Sequence, residues 1–341
     1  MYIGDINNTI GGSASGDRNI ISGNAIYGLY IAGASATGNL IKGNYIGLSS
    51  DGLNFISSSS QDYGIYITSS ANSNTIGGTA AGEGNVISGN FMGASGFPDG
   101  YGIYTDASGN IIKGNIIGPQ FNGTTALGNT ATQKGQKYGV YVNSSPNNII
   151  GGSASSNERN IISGNDMAGI WITGALSTGN VMKNNYIGLA SNGTSILSGM
   201  VEWETTQDYG INISATASSN TIGGTAANEG NVISGNGDQY DLGFGIQLDG
   251  NSNTIQGNII GPQANGTAVL TSAEQYYGIL LTGNNNIIGN TRTAGVNVIT
   301  GNNDRGIWGY GTYTSNIIKG NFIGIASNGT ALLSGGEELR Q

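Results

Sequence analysis

Asn74-Thr75-Ile76-Gly77-Gly78, followed by Asn85-Val86-Ile87-Ser88-Gly89-Asn90, is the stretch whose recurrence decides the fold. Its first element, Asn-x-apolar, returns at Asn8, Asn39, Asn74, Asn110, Asn148, Asn180, Asn220, Asn253, Asn286 and Asn316. Its second returns at Asn19, Asn44, Asn85, Asn115, Asn160, Asn185, Asn231, Asn258, Asn297 and Asn321. A third piece, typified by Tyr63-Gly64-Ile65-Tyr66-Ile67, has its glycine at Gly28, Gly64, Gly102, Gly139, Gly169, Gly210, Gly245, Gly278 and Gly306. Self-similarity of this kind marks a repeat architecture. Short alternating apolar runs bounded by Gly, Asn and Ser read as strands, here called a, b and c in the order just given. No two-residue hairpin signal recurs between them, so each strand is expected to pair in parallel with its counterpart one coil on. The expected fold is all-β: a right-handed parallel β-helix (β-solenoid) of about ten three-strand coils, a single domain over residues 1–341.

The spacing alternates. From the a-strand Asn to the b-strand Asn is 11 or 12 residues in odd coils and 5 in even coils, while b to c is longer in the even ones. Odd coils therefore bulge between a and b, even coils between b and c, and the true repeat is a two-coil super-repeat. These residues resemble the parallel β-helix repeats of the pectin-lyase-like family, above all its Asn/Gly/Ile-rich tandem-repeat surface proteins. The resemblance covers essentially the whole chain. It implies the fold and an extracellular or cell-surface setting, but no single activity, because that fold carries lyases, hydrolases, fibres and adhesins.

Composition narrows the chemistry. The chain has no His and no Cys, which removes the usual general base, the thiolate nucleophile and the commonest transition-metal ligands. A net charge of −9 with only 11 Lys and Arg argues against nucleic acid. No apolar run is long enough to span a membrane. Carboxylates are sparse, and their largest clusters are Glu202, Glu204 and Asp208, then Asp238, Asp241 and Asp249, then Glu274. Asp208, Asp241 and Glu274 precede strand c in successive coils, where paired acids could serve a glycosidase. No Lys or Arg stands beside them, and the clustered Asp with His, or Asp with Arg and Lys, that the resemblance implies for its enzymes is not found. No cofactor, metal site or catalytic residue is expected, and the acids are read as solvated loop charge.

The remaining candidates are structural. The Asn columns read as corner ladders in which each amide bonds its equivalents above and below. Strand parity places Ile65 and Ile67 inside and the residue between them outside. That outer column begins Tyr30, Tyr66, Tyr104, Tyr141 and Trp171, a strip suited to sugar rings or to lateral contact, or simply to strand propensity under loops. A second column, Tyr27, Tyr63, Tyr101, Tyr138, Tyr209, Phe244 and Tyr277, shares parity with the core Ile and is expected at a corner. Asn122, Asn192, Asn265 and Asn328 are loop sequons, open to N-glycosylation or simply turns.

Met1-Tyr2-Ile3 reads as a lone strand c, and coil 10 stops after Leu332, Leu333 and Leu339, where strand c is due. Two readings follow: a segment of a longer repeat protein, or copies stacking head to tail through Tyr2, Ile3, Leu332, Leu333 and Leu339. The expected function is a non-enzymatic extracellular β-solenoid subunit of a surface filament, fibre or adhesin stalk. The alternative is a polysaccharide-binding or polysaccharide-degrading protein of the same fold.

Overall fold

The computed structural model describes residues 1–56, 61–91, 100–127, 135–153, 155–199, 207–237, 243–271, 275–291 and 294–335. Leu339, Glu202, Glu204, Asp238, Asp241 and Glu274 lie outside them.

The chain winds into a right-handed parallel β-helix. Its three parallel sheets hold ten strands each, and neighbours in every sheet are one coil apart in sequence. The a sheet runs from Thr9–Ile10 to Ile317–Ile318, the b sheet from Ile20–Ile21 to Phe322–Ile323. The c sheet runs from Tyr2–Ile3 through strands such as Tyr63–Thr68 to Arg305–Gly309. Registers align like with like: Ile41 with Ile76, Ile76 with Ile112, Ile112 with Ile150.

The alignment explains why strands of two or three residues suffice. In each Asn-x-Ile the Asn turns the corner, the middle residue faces out and the Ile faces in. Ile76, Ile87, Ile112 and Ile117 are fully buried, and one continuous apolar cluster extends from Ile3 to Ile299. No coil could bury this face alone; each completes its neighbours' core.

The bulges have a place in this packing. The even-coil b–c loops fold over the outer side of the b strands and form satellite cores, such as Leu189, Val232 and Leu270 with Tyr186 and Ile196. They touch one another across the intervening odd coil: Phe121 N–H donates to the Gly52 carbonyl, Ser191 to Gly123, Ala264 to Gly193 and Ser327 to Gly266, at 2.8–3.1 Å. A loop in every coil would not fit over a strand spacing of about 4.8 Å. The two-coil super-repeat is the packing answer.

Candidate functional site

The ladders come first, because they give the molecule direction. The Asn39 side-chain oxygen accepts the Asn8 backbone N–H at 2.8 Å and the Asn8 amide at 3.0 Å, and Asn74 repeats both bonds to Asn39 at 2.9 Å. The series ends with Asn286 N–H donating to Asn316 at 2.7 Å. The b-strand series runs likewise from Asn19 to Asn44 and on to Asn321. Asn74, Asn110, Asn148, Asn180, Asn220 and Asn253 are buried rungs of the first ladder.

A third ladder at the b–c corner was not read from the sequence. It alternates Asn from odd coils with Gln from even ones: Asn24, Gln61, Asn90, Gln136, Asn165, Gln207, Asn236, Gln275 and Asn302, joined at 2.7–3.1 Å. In all three ladders the rung-to-rung bonds run one way, each oxygen accepting from the rung on its N-terminal side, while many amides also donate back to a carbonyl of the coil before, as Asn44 does to Ile10 at 2.9 Å. The terminal faces therefore differ. Asn8 and Asn19 present acceptor oxygens at one end, while Asn316 and Asn321 present backbone N–H groups at the other.

The outer face of the c sheet carries an aromatic ladder. Tyr2, Tyr30, Tyr66, Tyr104, Tyr141 and Trp171 follow one another in register, with centroids 4.9–6.5 Å apart. The second column is not at a corner. Tyr27 stacks on Tyr30 at 4.8 Å and meets Tyr63 in a tilted contact at 5.4 Å, so its ring lies on the outer face beside the first column. The cause is Gly28: a Cβ there would stand 3.2 Å from core Ile46 and 2.6 Å from Gln61 Nε2. Gly28 and Leu29 both face inward, and Tyr27 is turned out. Where the second column has Ala168, Trp171 bridges Tyr138 and Tyr209 at 5.6 and 5.9 Å. Beyond Asn212, whose buried Oδ1 has no hydrogen-bond partner, the rings continue through Phe244 and Tyr277 to Trp308. Most rings use their faces and edges on one another.

Burial raises the phenols of Tyr27, Tyr104 and Tyr277, and pushes Tyr66 up to about 12, with Asp106 adding to it. The Tyr66 hydroxyl donates to Asp106 Oδ2 at 3.3 Å. A raised folded pKa means that this contribution to stability is complete below pH about 10 and is lost as pH rises through about 12. An absorbance titration of the folded protein is expected to show a late phenolate fraction that Tyr66→Phe reduces. One step near pH 10 for all 17 tyrosines would contradict this.

The other candidates are placed as follows. Asn122, Asn192, Asn265 and Asn328 lie at exposed loop tips, each side-chain oxygen accepting the N–H groups two and three residues on. That is turn chemistry. Asp249 accepts from Gln247 and Thr282 at 2.7 and 2.6 Å. Among the described residues no three His, Cys, Asp or Glu gather as metal ligands, and no helix is long and apolar enough to cross a membrane. In a groove beside the b strands, Arg159 is bonded to Asn184 at 3.1 and 3.2 Å and lies 4.0 Å over Tyr186. At the ends, Ile3 is covered but Tyr2 is 66% exposed; Leu333 is half-buried, and Leu332, Ile317, Ile318 and Ile323 are exposed.

The fold and these columns define a β-solenoid. No family model and no curated protein matches the chain. Among solved structures it is similar to the Dettilon tailspike protein, with 16% identity and a TM-score of 0.45 over 94% of this chain. The chain spans 57% of that protein's length. It is also similar to the A-module of mannuronan C-5 epimerase AlgE6 from Azotobacter vinelandii, with 13% identity, a TM-score of 0.22, and 94% and 89% of the two chains covered.

Proposed function

We propose that this chain is a structural, non-enzymatic unit of an extracellular filament, fibre or adhesin stalk, in which copies stack head to tail. The observation that carries the reading is the common polarity of the three amide ladders. In the a and b ladders this leaves the side-chain oxygens of Asn8 and Asn19 at one end face and the backbone N–H groups of Asn316 and Asn321 at the other, so at these rungs the two faces complement one another. Such a heterologous contact does not close, and it builds a rod. The open a and b strands add to it: a second copy would set Thr9–Ile10 beside Ile317–Ile318 and cover the apolar side chains there. A surface made of uncovered strand edges is what natural sheets otherwise avoid.

Burying an acid in that contact is the direct test. Ile318→Asp changes a half-exposed side chain of the last a strand and is expected to abolish end-on assembly in sedimentation experiments, since an unpaired charge cannot be desolvated there. An equivalent loop-tip change, Asn192→Asp, is expected to assemble like the parent. Equal behaviour of the two variants would overturn the reading.

Polysaccharide binding on the c-sheet face is the second reading, favoured by the partly exposed rings of Tyr30, Tyr66, Tyr104, Tyr141 and Trp171. Its weakness is that these rings already stack on one another. No cofactor, nucleic acid or membrane enters either reading.

A further inference from the structure

Three ion pairs tie coils 2, 4 and 6 each to the odd coil after it. Lys42 meets Glu83 at 2.7 Å, Lys113 meets Glu158 at 2.8 Å and Lys183 meets Glu229 at 3.1 Å. All six residues stand at one place in the repeat, two residues before a b-ladder Asn: Lys42 before Asn44, Glu83 before Asn85, and so on. The acid is further fixed by its own loop. Glu83 Oε2 accepts the N–H groups of Thr79 and Ala80 at 3.0 and 2.9 Å, and Lys42 with these bonds holds its carboxyl down at about 2.

At the fourth place both partners are replaced together. Coil 8 has Gln256 where the lysine is due, and coil 9 has Gly295 where the acid is due. Charge is present as a pair or not at all, so the two positions are matched for each other rather than for solvent.

The fifth lysine is Lys319, two residues before Asn321 in coil 10. The remaining acid is Asp17, two residues before Asn19 in coil 1. Asp17 folds back on its loop as the glutamates do, accepting the Ala14 N–H at 3.3 Å, and the same Gly-Gly precedes it, at Gly11 and Gly12. Both residues are exposed, whereas the lysine of each internal pair is 20% exposed. Lys319 stands at the end whose ladders offer donors, Asp17 at the end whose ladders offer acceptors.

We infer that Lys319 of one copy pairs with Asp17 of the next, and that this pair selects the polarity of the stack. The inference rests on the head-to-tail reading. It adds a residue pair that disfavours wrong contacts: two C-terminal faces would bring two Lys319 and no Asp17, and two N-terminal faces two Asp17 and no Lys319. The partner argued for is a second copy because Lys319 and Asp17 match the two halves of the internal pairs in charge and in place in the repeat.

Charge reversal separates the pair from the stacking. Lys319→Glu sets two acids against each other, and Asp17→Lys sets two lysines. Each alone is expected to raise the concentration for half-assembly roughly tenfold, the scale of one well-placed surface ion pair turned repulsive. An equimolar mixture of the two variants restores a complementary contact at every junction, as alternating copies. So does the double variant. Both are expected within about twofold of the parent by sedimentation velocity. Mixing cannot repair a variant that fails to fold, so rescue is specific to the contact. Single variants that assemble like the parent, or a mixture that is not rescued, would overturn the pair and leave stacking intact. A parent that never assembles would overturn the stacking reading itself.

Discussion

Asn85→Leu is expected to lower the unfolding free energy by about 4 kcal/mol, far more than a polar-to-apolar change of equal volume on the surface. Asn85 is fully buried in the b ladder. Its side-chain oxygen accepts the Asn44 backbone N–H at 3.1 Å and the Asn44 amide at 3.0 Å; its own amide donates to the Ile41 carbonyl at 2.8 Å and to Asn115 at 2.9 Å. Leucine fills the volume but leaves the Asn44 N–H buried without a partner, at about 1–3 kcal/mol, and removes the side-chain bonds to the Asn44 amide, the Ile41 carbonyl and Asn115, at about 0.5–1.5 kcal/mol each. Asn122→Ala removes an equally well-bonded side chain at an exposed loop tip, where water replaces the bonds, and is expected to cost about 1 kcal/mol or less. Urea denaturation of the two variants side by side measures the difference. Similar small losses in both would mean that the ladders do not hold the coils together.

Gly77→Ala is expected to be more damaging still, by more than about 4 kcal/mol or by loss of folding altogether. Gly77 ends an a strand at a φ of +97°, and a Cβ there would collide with the Lys113 carbonyl and stand 2.8 Å from Asn115 Oδ1. Both obstacles belong to the next coil, whose position is fixed by strand pairing, so neither can retreat. Gly109 has a φ of +68° with nothing within 4 Å of the Cβ position. There the same substitution carries only the left-handed backbone penalty, about 1–2 kcal/mol. Thermal melts by circular dichroism distinguish a collision from mere strain. Equal shifts for the two alanines would show that the coils can spread apart.

These contrasts indicate what the sequence could and could not reveal. Strands a, b and c and their coil-by-coil pairing were legible because a parallel stack repeats one environment, so the residue suited to it recurs at Ile76, Ile112 and Ile150. The third ladder was hidden by its alternation. Asn90 lies in a Ser-Gly-Asn after strand b, Gln136 two residues before strand c, and no single-residue pattern joins them. The position of Tyr27 was misread because strict alternation fails where Gly28 gives two successive inward residues. The ion pairs, though visible as Lys and Glu two residues before ladder asparagines, join residues more than forty apart in sequence, and only the stacked coils bring Lys42 to Glu83. Of the acids before strand c, Asp208 falls within the described residues; Asp249 is described too, just after the strand Gly243–Leu248. Of what the resemblance to the pectin-lyase-like family implies, the β-helix is what the structure shows.

The central claim is that the two end faces of this rod fit each other. Electron microscopy of the purified protein over a concentration series tests it most directly. Ten coils at about 4.8 Å each give a unit length on the order of 48 Å. The expected result is straight rods that lengthen with concentration and carry an axial repeat near that length. Short particles of one length at every concentration would contradict it.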